Sequence, residues 1–157
     1  MEQNELHNVI AKSVLEIVGF MNLPSQVQVR QESRDDVNTI LVSLYIPDNV
    51  RFLIGKNGET LRALEHVLRL VCARHIPEGH GLMLDVNDYR KSRVLAVVEL
   101  AKQAVARVRN TQKAEALLPM SAYERRIVHT ELASYPDVAT ESIGEGGQRR
   151  VVIKPFP

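Results

Sequence analysis

The chain has 157 residues, of which 45% are hydrophobic and 25% charged, and this composition is typical of one globular domain or two small ones rather than of a disordered chain. No apolar run reaches the roughly 20 residues of a membrane span. The acidic N-terminal stretch, residues 1–5, is unlike a signal peptide, and the single cysteine, Cys72, excludes an intramolecular disulfide, so we expect a cytoplasmic protein with Cys72 in its core.

The first elements of the chain are predicted to be a helix and two strands. Apolar residues recur at helical spacing from Leu6 to Met21, and Gly19 to Pro24 would end this helix. Apolar and polar residues then alternate around Val27 and again from Ile40 to Ile46, which predicts two strands. The polar segment 33–38 would close them into a hairpin, with the helix covering its sheet.

A glycine-bracketed turn follows, Ile54-Gly55-Lys56-Asn57-Gly58, ahead of a long helix that opens at Glu59-Thr60. Glycine can take positive φ and let backbone N–H groups approach a ligand, while the helix points its positive end at the same place, so a phosphate would be stabilised there. A P-loop is excluded, because asparagine follows Lys56 where Ser or Thr is needed and the upstream glycine is absent. A dinucleotide-binding fingerprint is excluded as well, because it needs a third glycine at a spacing that this segment lacks.

The long helix is predicted to bury one stripe against the core, and a third strand follows it. Six residues at spacings of three and four form that stripe: Leu61, Leu64, Val67, Leu68, Val71 and His75. Alternation of Leu82, Leu84 and Val86 predicts the strand after the break at His80-Gly81. The element order up to this point is helix, strand, strand, helix, helix, strand.

Residues 88–113 contain seven Lys or Arg residues against two Asp or Glu, although the whole chain has a net charge of only +1. They are predicted to form a long connecting helix, whose inner face is Val94, Val97, Val98, Ala101, Val105 and Val108. The basic residues on its outer side are interpreted either as a surface for a polyanion or as an ordinary solvated face.

Past this helix, Ser121 and Glu124 form a capping box that would start a helix running to about Ser134. Arg125 and His129 are four residues apart on it, so both side chains share one face and could bind one phosphate. An exposed arginine beside a surface histidine is the alternative for such a pair. The last predicted element is a hairpin, with strands at 138–143 and 149–153 and a glycine turn at 144–147.

Nothing in the sequence indicates catalysis. The five histidines, His7, His66, His75, His80 and His129, have no zinc-type spacing with Cys or carboxylates, and no serine or cysteine lies in a nucleophile motif. We therefore expect neither an enzyme nor a cofactor, a metal or a small-molecule substrate. Aromatic residues are only 4% of the chain, so contacts to nucleic-acid backbone and base edges should outweigh base stacking.

The stretch Ile54 to Gly58 resembles the signature of the KH domain, whose Gly-x-x-Gly loop clamps about four nucleotides of a single strand. The element order resembles that of the type II KH fold (αββααβ) over residues 1–87. The segment from Leu118 to His129, with its Arg-x-x-x-His, closely resembles the R-three-H domain, a small α+β module for single-stranded nucleic acid, at residues 114–157. The expected fold class is α+β: two such domains joined by the basic helix 88–113.

This pairing of domains resembles the Jag family, also called the SpoIIIJ-associated, KhpB or EloR proteins. The resemblance implies a bacterial RNA chaperone or post-transcriptional regulator linked to cell elongation and cell shape, which binds single-stranded RNA, with single-stranded DNA as a second ligand. It also implies a short single-KH partner of the KhpA type. Many members carry an N-terminal Jag-N domain, which has no counterpart before the first predicted helix, so roles that depend on it are not carried over.

Ten residues are expected to contact nucleic acid: Ile54, Gly55, Lys56, Asn57, Gly58, Arg62, Arg90, Arg93, Arg125 and His129. The alternative is an adaptor that uses the KH scaffold to pair with another KH protein without RNA. The basic Lys56 and polar Asn57 favour RNA binding, because a non-binding KH loop commonly carries acidic residues there.

Overall fold

In the computed structural model, which describes residues 3–34, 37–48 and 50–156, the chain folds into two compact units, Met1–Arg90 and Lys91–Pro157. Both units are mixtures of helices and strands, which confirms the predicted α+β class. Within the described residues, no helix is long and apolar enough to cross a membrane.

The first unit has the predicted order αββααβ. Its elements are α1 (Gln3–Gly19), β1 (Gln26–Arg34), β2 (Val37–Tyr45), α2 (Arg51–Ile54), α3 (Glu59–Cys72) and β3 (His80–Val86), with a single 3-10 turn, Lys56–Gly58, between α2 and α3. The predicted hairpin turn includes Asp35 and Asp36, which lie outside the described residues, as do Met1 and Glu2 of the acidic N-terminal stretch.

These strands form one sheet in the order β1-β2-β3. Strands β1 and β2 are antiparallel, with Gln26 opposite Tyr45, whereas β2 and β3 are parallel, with Asn38 opposite His80. A parallel pair needs a crossover connection, and α2, the glycine turn and α3 supply it. The turn is therefore fixed between two helices that pack on the same sheet.

One hydrophobic core joins α1, α3 and the sheet. Its fully buried members include Ile10 and Val14 of α1, Leu44 of β2 and Leu84 of β3. The buried residues of α3 are Leu61, Leu64, Leu68 and Cys72, so Cys72 packs in the core as predicted.

The predicted stripe of α3 is wrong in part. Val67 and Val71 are 46% and 56% exposed, and His75 is exposed and lies beyond the end of the helix. Because α3 also carries Leu70, which is 63% exposed, apolar residues occur on more than one side of the helix. The spacing rule alone could not choose the buried side.

The second unit consists of α4 (Tyr89–Thr111, which starts in the first unit), β4 (Glu115–Ala116), α5 (Ala122–Leu132), β5 (Val138–Ile143) and β6 (Arg150–Pro155). The sheet order is β4-β6-β5, and both neighbouring pairs are antiparallel. The hairpin after α5 confirms the prediction, although the second strand begins at Arg150 and continues to Pro155.

Helix α4 is part of the second core and not only a connector. Its buried residues are Val97, Ala101, Ala104, Val105 and Val108, and they pack with Val128 and Leu132 of α5 and Ile153 of β6. Four of these five belong to the predicted inner face. Ala104 was missed, and Val94 and Val98 are only half-buried.

The predicted capping box at the start of α5 is present. The Ser121 hydroxyl accepts from the Glu124 backbone N–H at 3.3 Å, and the Glu124 carboxylate accepts from the Ser121 N–H at 2.8 Å. Glu124 is only 3% exposed, and Arg93 of α4 donates to its other oxygen at 2.5 Å. Burial alone would raise the pKa of Glu124, but the bonds from Arg93 and Ser121 outweigh it and lower the pKa below its ordinary value.

We predict that Glu124→Ala lowers the free energy of unfolding by about 3 kcal/mol, because it breaks a buried ion pair and leaves Arg93 without this carboxylate. Urea unfolding followed by circular dichroism measures the change. Glu99→Ala, which removes an exposed glutamate of α4 that accepts a hydrogen bond from Gln103, is the control and should change this free energy by less than about 0.5 kcal/mol.

Since the folded pKa of Glu124 is lowered, its charge stabilises the fold above the pKa of an unfolded glutamate, about 4.3, and this contribution disappears as the pH falls through the lower folded pKa. Glu124→Gln should therefore be less stable than the wild type at neutral pH, and the gap should narrow in acid. Parallel pH profiles would contradict the assigned role of the charge.

Candidate nucleic-acid interface

The glycine turn has the backbone geometry that the sequence predicted. Gly55 and Gly58 have φ values of 70° and 77°, and Asn57 between them is also left-handed at 52°. A side chain at Gly55 would clash with Thr60, whose backbone nitrogen and Cβ would lie 2.9 Å from the added Cβ. The turn thus brings its backbone close to the start of α3, where only glycine fits.

The N-terminus of α3 is open at this turn. Gly58 occupies the N-cap position and has no side chain with which to bond the first N–H groups of the helix. Lys56 is exposed beside them, and Arg62 donates from Nη1 to the Asn57 carbonyl at 3.0 Å. Two cations therefore belong to the segment at the positive end of a 14-residue helix, whose first turn also contains one acidic residue, Glu59.

Ile54 and Gly58 connect this turn to the rest of the first unit. Ile54 is half-buried and follows the fully buried Leu53. Gly58 faces the ring of Tyr89, the first residue of α4, and a Cβ on Gly58 would lie 3.1 Å from the ring. Tyr89 is a contact that sequence reasoning missed, because local patterns carry no signal for a partner so far along the chain.

Arg90 belongs to a cluster of side chains on the open edge of β3. Its Nη2 contacts Glu65 at 2.5 Å and its Nε donates to the Leu84 carbonyl at 3.1 Å. Glu65 also accepts from the Leu84 N–H, and Arg69 donates to both Glu65 and the Leu82 carbonyl. These bonds satisfy backbone groups that β3, as an edge strand, would otherwise leave unpaired.

Arg93 belongs to the second unit, where it is bonded to the buried Glu124. The pattern is general for residues 88–113, because five of their seven basic side chains form ion pairs with carboxylates. These pairs are Arg90–Glu65, Arg93–Glu124, Lys102–Glu131, Arg107–Glu115 and Arg109–Asp137. Most of the excess positive charge seen in the sequence is therefore neutralised within the fold.

Arg125 and His129 lie one turn apart on α5, both half-buried, while Arg126 is exposed. Arg125 donates from Nη1 to the Met120 carbonyl at 2.8 Å, and His129 Nδ1 is 2.6 Å from the Thr140 hydroxyl on β5. Both of these partners are uncharged, so they orient the two side chains without forming an ion pair. Thr140, which positions the imidazole, was not foreseen from the sequence.

The ten predicted residues thus fall into separate groups. Six lie together at the glycine turn: Ile54, Gly55, Lys56, Asn57, Gly58 and Arg62. Arg125 and His129 form a second group on α5. Arg90 and Arg93 belong to neither group and are held by glutamates. No group of three or more His, Cys, Asp or Glu residues suited to a metal ion occurs in the part of the chain that the structure describes.

Comparison with known proteins finds one family model and several relatives of this chain. Residues 95–155 match the family model of the R-three-H domain, and this match includes most of α4. The chain is 32% identical to RNA-binding protein KhpB of Clostridium symbiosum over 139 residues, which is 88% of this chain and 61% of that protein.

Two further relatives have the same printed name. Identity is 35% over 108 residues to RNA-binding protein KhpB of Bacillus subtilis, covering 68% of this chain and 52% of the relative. It is 37% over 101 residues to that of Lactiplantibacillus plantarum, covering 64% and 31%. The chain spans less than two thirds of the length of each of these relatives.

The chain is thus a two-domain protein. Its αββααβ unit with a Gly-x-x-Gly turn has the layout of a KH domain, and an R-three-H domain follows it. The chain belongs to the Jag family, in which the KhpB proteins are grouped.

The turn geometry predicts that Gly58→Ala destabilises the first unit by about 2 kcal/mol, because alanine is strained in the left-handed region and its Cβ would press on Tyr89. Thermal and urea unfolding measure the loss. Gly147→Ala is the control, since a Cβ there meets nothing within 4 Å and the backbone φ is not positive. Equal effects of the two substitutions would show that Gly58 has no special role.

Proposed function

We propose that this protein binds single-stranded RNA through two surfaces, the glycine turn of the first unit and the Arg125/His129 face of the second. In the cell it would act as an RNA chaperone or post-transcriptional regulator. By its membership of the Jag family, we extend the proposal to control of cell elongation and cell shape. Single-stranded DNA is a second ligand to be tested.

The observation that carries the proposal is the open N-terminus of α3. Helix α3 follows one predicted binding motif and helix α5 contains the other, but side chains cap only the N-terminus of α5. Ser121 and Glu124 cap the N-terminus of α5, whereas Gly58 leaves the N-terminus of α3 without a side-chain cap. Lys56 and Arg62 lie at that open end, so an RNA phosphate placed there would meet N–H groups and two cations.

The second surface is supported by the hydrogen-bond partners of its side chains. A cation already paired with a carboxylate gives little net attraction to a phosphate, because its charge is largely neutralised. Arg125 and His129 are bonded to a carbonyl and a hydroxyl instead. The relatives KhpB are named RNA-binding proteins, which supports RNA as the ligand of this chain.

We keep one alternative, an adaptor that pairs with another KH protein, such as a short KhpA-like chain, without RNA. It is favoured by the outer side of α3, where Val67, Leu70 and Val71 are all about half exposed or more. Such an apolar group on one side of a helix is typical of a protein contact. An adaptor of this kind would keep its partner when the charges of the glycine turn are changed.

Replacing Lys56 and Asn57 together by aspartates should weaken RNA binding by about tenfold or more, because two anions replace a cation and an amide at the phosphate position. Titration of a labelled single-stranded RNA with the intact chain measures the affinity. Asn8→Asp with Lys12→Asp is the matched control, since these exposed residues of α1 give the same change in charge. Equal losses in the two double variants would indicate a general charge effect and remove the turn from the site.

On α5, Arg125→Ala and His129→Ala should each weaken RNA binding by about 1 to 3 kcal/mol, the range for a charge-assisted hydrogen bond. Arg126→Ala should have a smaller effect, because Arg126 points to another side of the helix. Circular dichroism and thermal melts of all three variants separate lost binding from lost folding. If Arg126→Ala were the most damaging, α5 would present a different face to its ligand.

A further inference from the structure

The first unit has an open cavity at one end of its sheet, formed by other residues than those of the glycine turn. Its volume is about 480 Å³, which lies within the roughly 300 to 1,000 Å³ of sites for small ligands. Seven described residues line it, at the start of β1, the end of β2 and just after β3: Pro24, Ser25, Gln26, Tyr45, Ile46, Pro47 and Asn87. None of these seven carries a charge, so the cavity suits a neutral group and not a phosphate.

The ring of Tyr45 lies on the open face of the sheet, away from α1 and α3. Tyr45 is 39% exposed, whereas Leu44, the residue before it, is fully buried in the core, and successive side chains of a strand point to opposite faces. Gln26 is paired directly opposite Tyr45 in the sheet and is also exposed. Because side chains of a directly paired position are neighbours, an aromatic ring and a primary amide lie side by side in this cavity.

The polar side chains of the cavity divide into bonded and unbonded ones. The Asn87 amide holds the end of β2, since its oxygen accepts from the Ile46 N–H at 2.9 Å and its nitrogen donates to the Ile46 carbonyl at 2.7 Å. Within the described chain, the side chains of Ser25, Gln26 and Tyr45 make no such bond. Their hydroxyl and amide groups are therefore available to a ligand, in a cavity whose side at Asn87 is fixed.

A short segment connects the cavity to the glycine turn. Asn87 lines the cavity, and Tyr89, whose Cα is at most about 7 Å from that of Asn87, packs against Gly58, where an added Cβ would lie 3.1 Å from the Tyr89 ring. Asn87 and Asp88 are both left-handed, with φ values of 49° and 55°. Such conformations cost free energy and are concentrated at binding sites. The cavity and the turn are thus close enough to contact one strand.

Resting on the proposed function, we propose that this cavity binds a nucleobase of the RNA strand whose phosphates are held at the glycine turn. Adenine fits best among the bases, because the Gln26 amide can donate to a ring nitrogen of adenine and accept from its amino group. Tyr45 stacks on the face of this base. The uncharged lining matches a neutral base, while the charged phosphates stay beside Lys56. The cavity thereby adds a base preference to the backbone contacts of the turn.

Gln28 provides a matched control for Gln26. It lies two residues further along β1, is exposed on the same face of the sheet and is paired with Ser43. Gln28 is not among the residues that line the cavity. Gln26→Ala and Gln28→Ala therefore remove the same side chain from the same strand, and only the first of them changes the cavity.

The experiment measures the affinity of the intact chain for labelled oligoadenylate and oligouridylate of equal length. The wild type should prefer oligoadenylate about tenfold, the effect of one bidentate pair with a base. Tyr45→Ala should weaken the binding of oligoadenylate about tenfold, whereas Tyr45→Phe, which keeps the ring, should stay within about threefold of the wild type. Gln26→Ala should remove the preference for adenine, and Gln28→Ala should keep it.

A further arm of the experiment uses adenosine monophosphate alone. It should bind at least about 100-fold more weakly than oligoadenylate, because only the longer strand is also held at the glycine turn. Equal affinities would assign the cavity to a free nucleotide and overturn its role in RNA binding.

The other outcomes separate this inference from the function on which it rests. If Lys56→Asp with Asn57→Asp abolishes binding while Tyr45→Ala and Gln26→Ala change nothing, the turn stands as an RNA site and the cavity is outside it. If none of these variants changes binding, the proposed site at the turn fails together with the inference. Equal losses in Gln26→Ala and Gln28→Ala would also overturn it. Thermal melts identify unfolding, and the exposed Gln26 decides the question if Tyr45→Ala does not fold.

Discussion

The direction in which Arg125 and His129 point depends on the buried carboxylate of Glu124, the residue immediately before Arg125. That carboxylate binds the Ser121 N–H, which starts α5, and Arg93, which fixes α5 against α4. A charge this well buried is tolerated because both of its oxygens have donors. The surface that we propose for RNA in this unit is thus supported by a buried anion, which pairs with one arginine, Arg93, and precedes the next, Arg125.

The same division between neutralised and available cations applies in both units. Glu65 of α3 binds Arg90 and Arg69 and also accepts a hydrogen bond from the backbone of β3. The two arginines in turn donate to carbonyls on the edge of this strand. Lys56 and the α5 residues have no carboxylate among the partners that the described chain shows for them. Counting charges along the sequence gives the net charge of the chain. The carboxylates that pair with particular cations then decide which cations keep a charge that could attract a polyanion such as RNA.

Local features of the fold could be predicted from the sequence, and contacts between distant residues could not. The capping box of α5 and the left-handed glycines at 55 and 58 are set within a few residues, so their patterns sufficed. The ion pair of Arg90 spans 25 residues and that of Arg93 spans 31. From the sequence alone, both arginines were predicted to contact nucleic acid, and neither ion pair could be foreseen. The buried side of α3 was misjudged for a related reason, because only the sheet determines which of several apolar sides is covered.

Because the chain has a single cysteine, only one of the two cores contains a thiol that a reagent can modify. Cys72 has 0% exposure and lies in the core of the first unit, and the second unit contains no cysteine at all. A thiol reagent can reach this sulfur only when the first core opens, because a buried thiol is inert. The rate of labelling therefore reports the opening free energy of the first unit alone, in the intact protein and without an introduced cysteine.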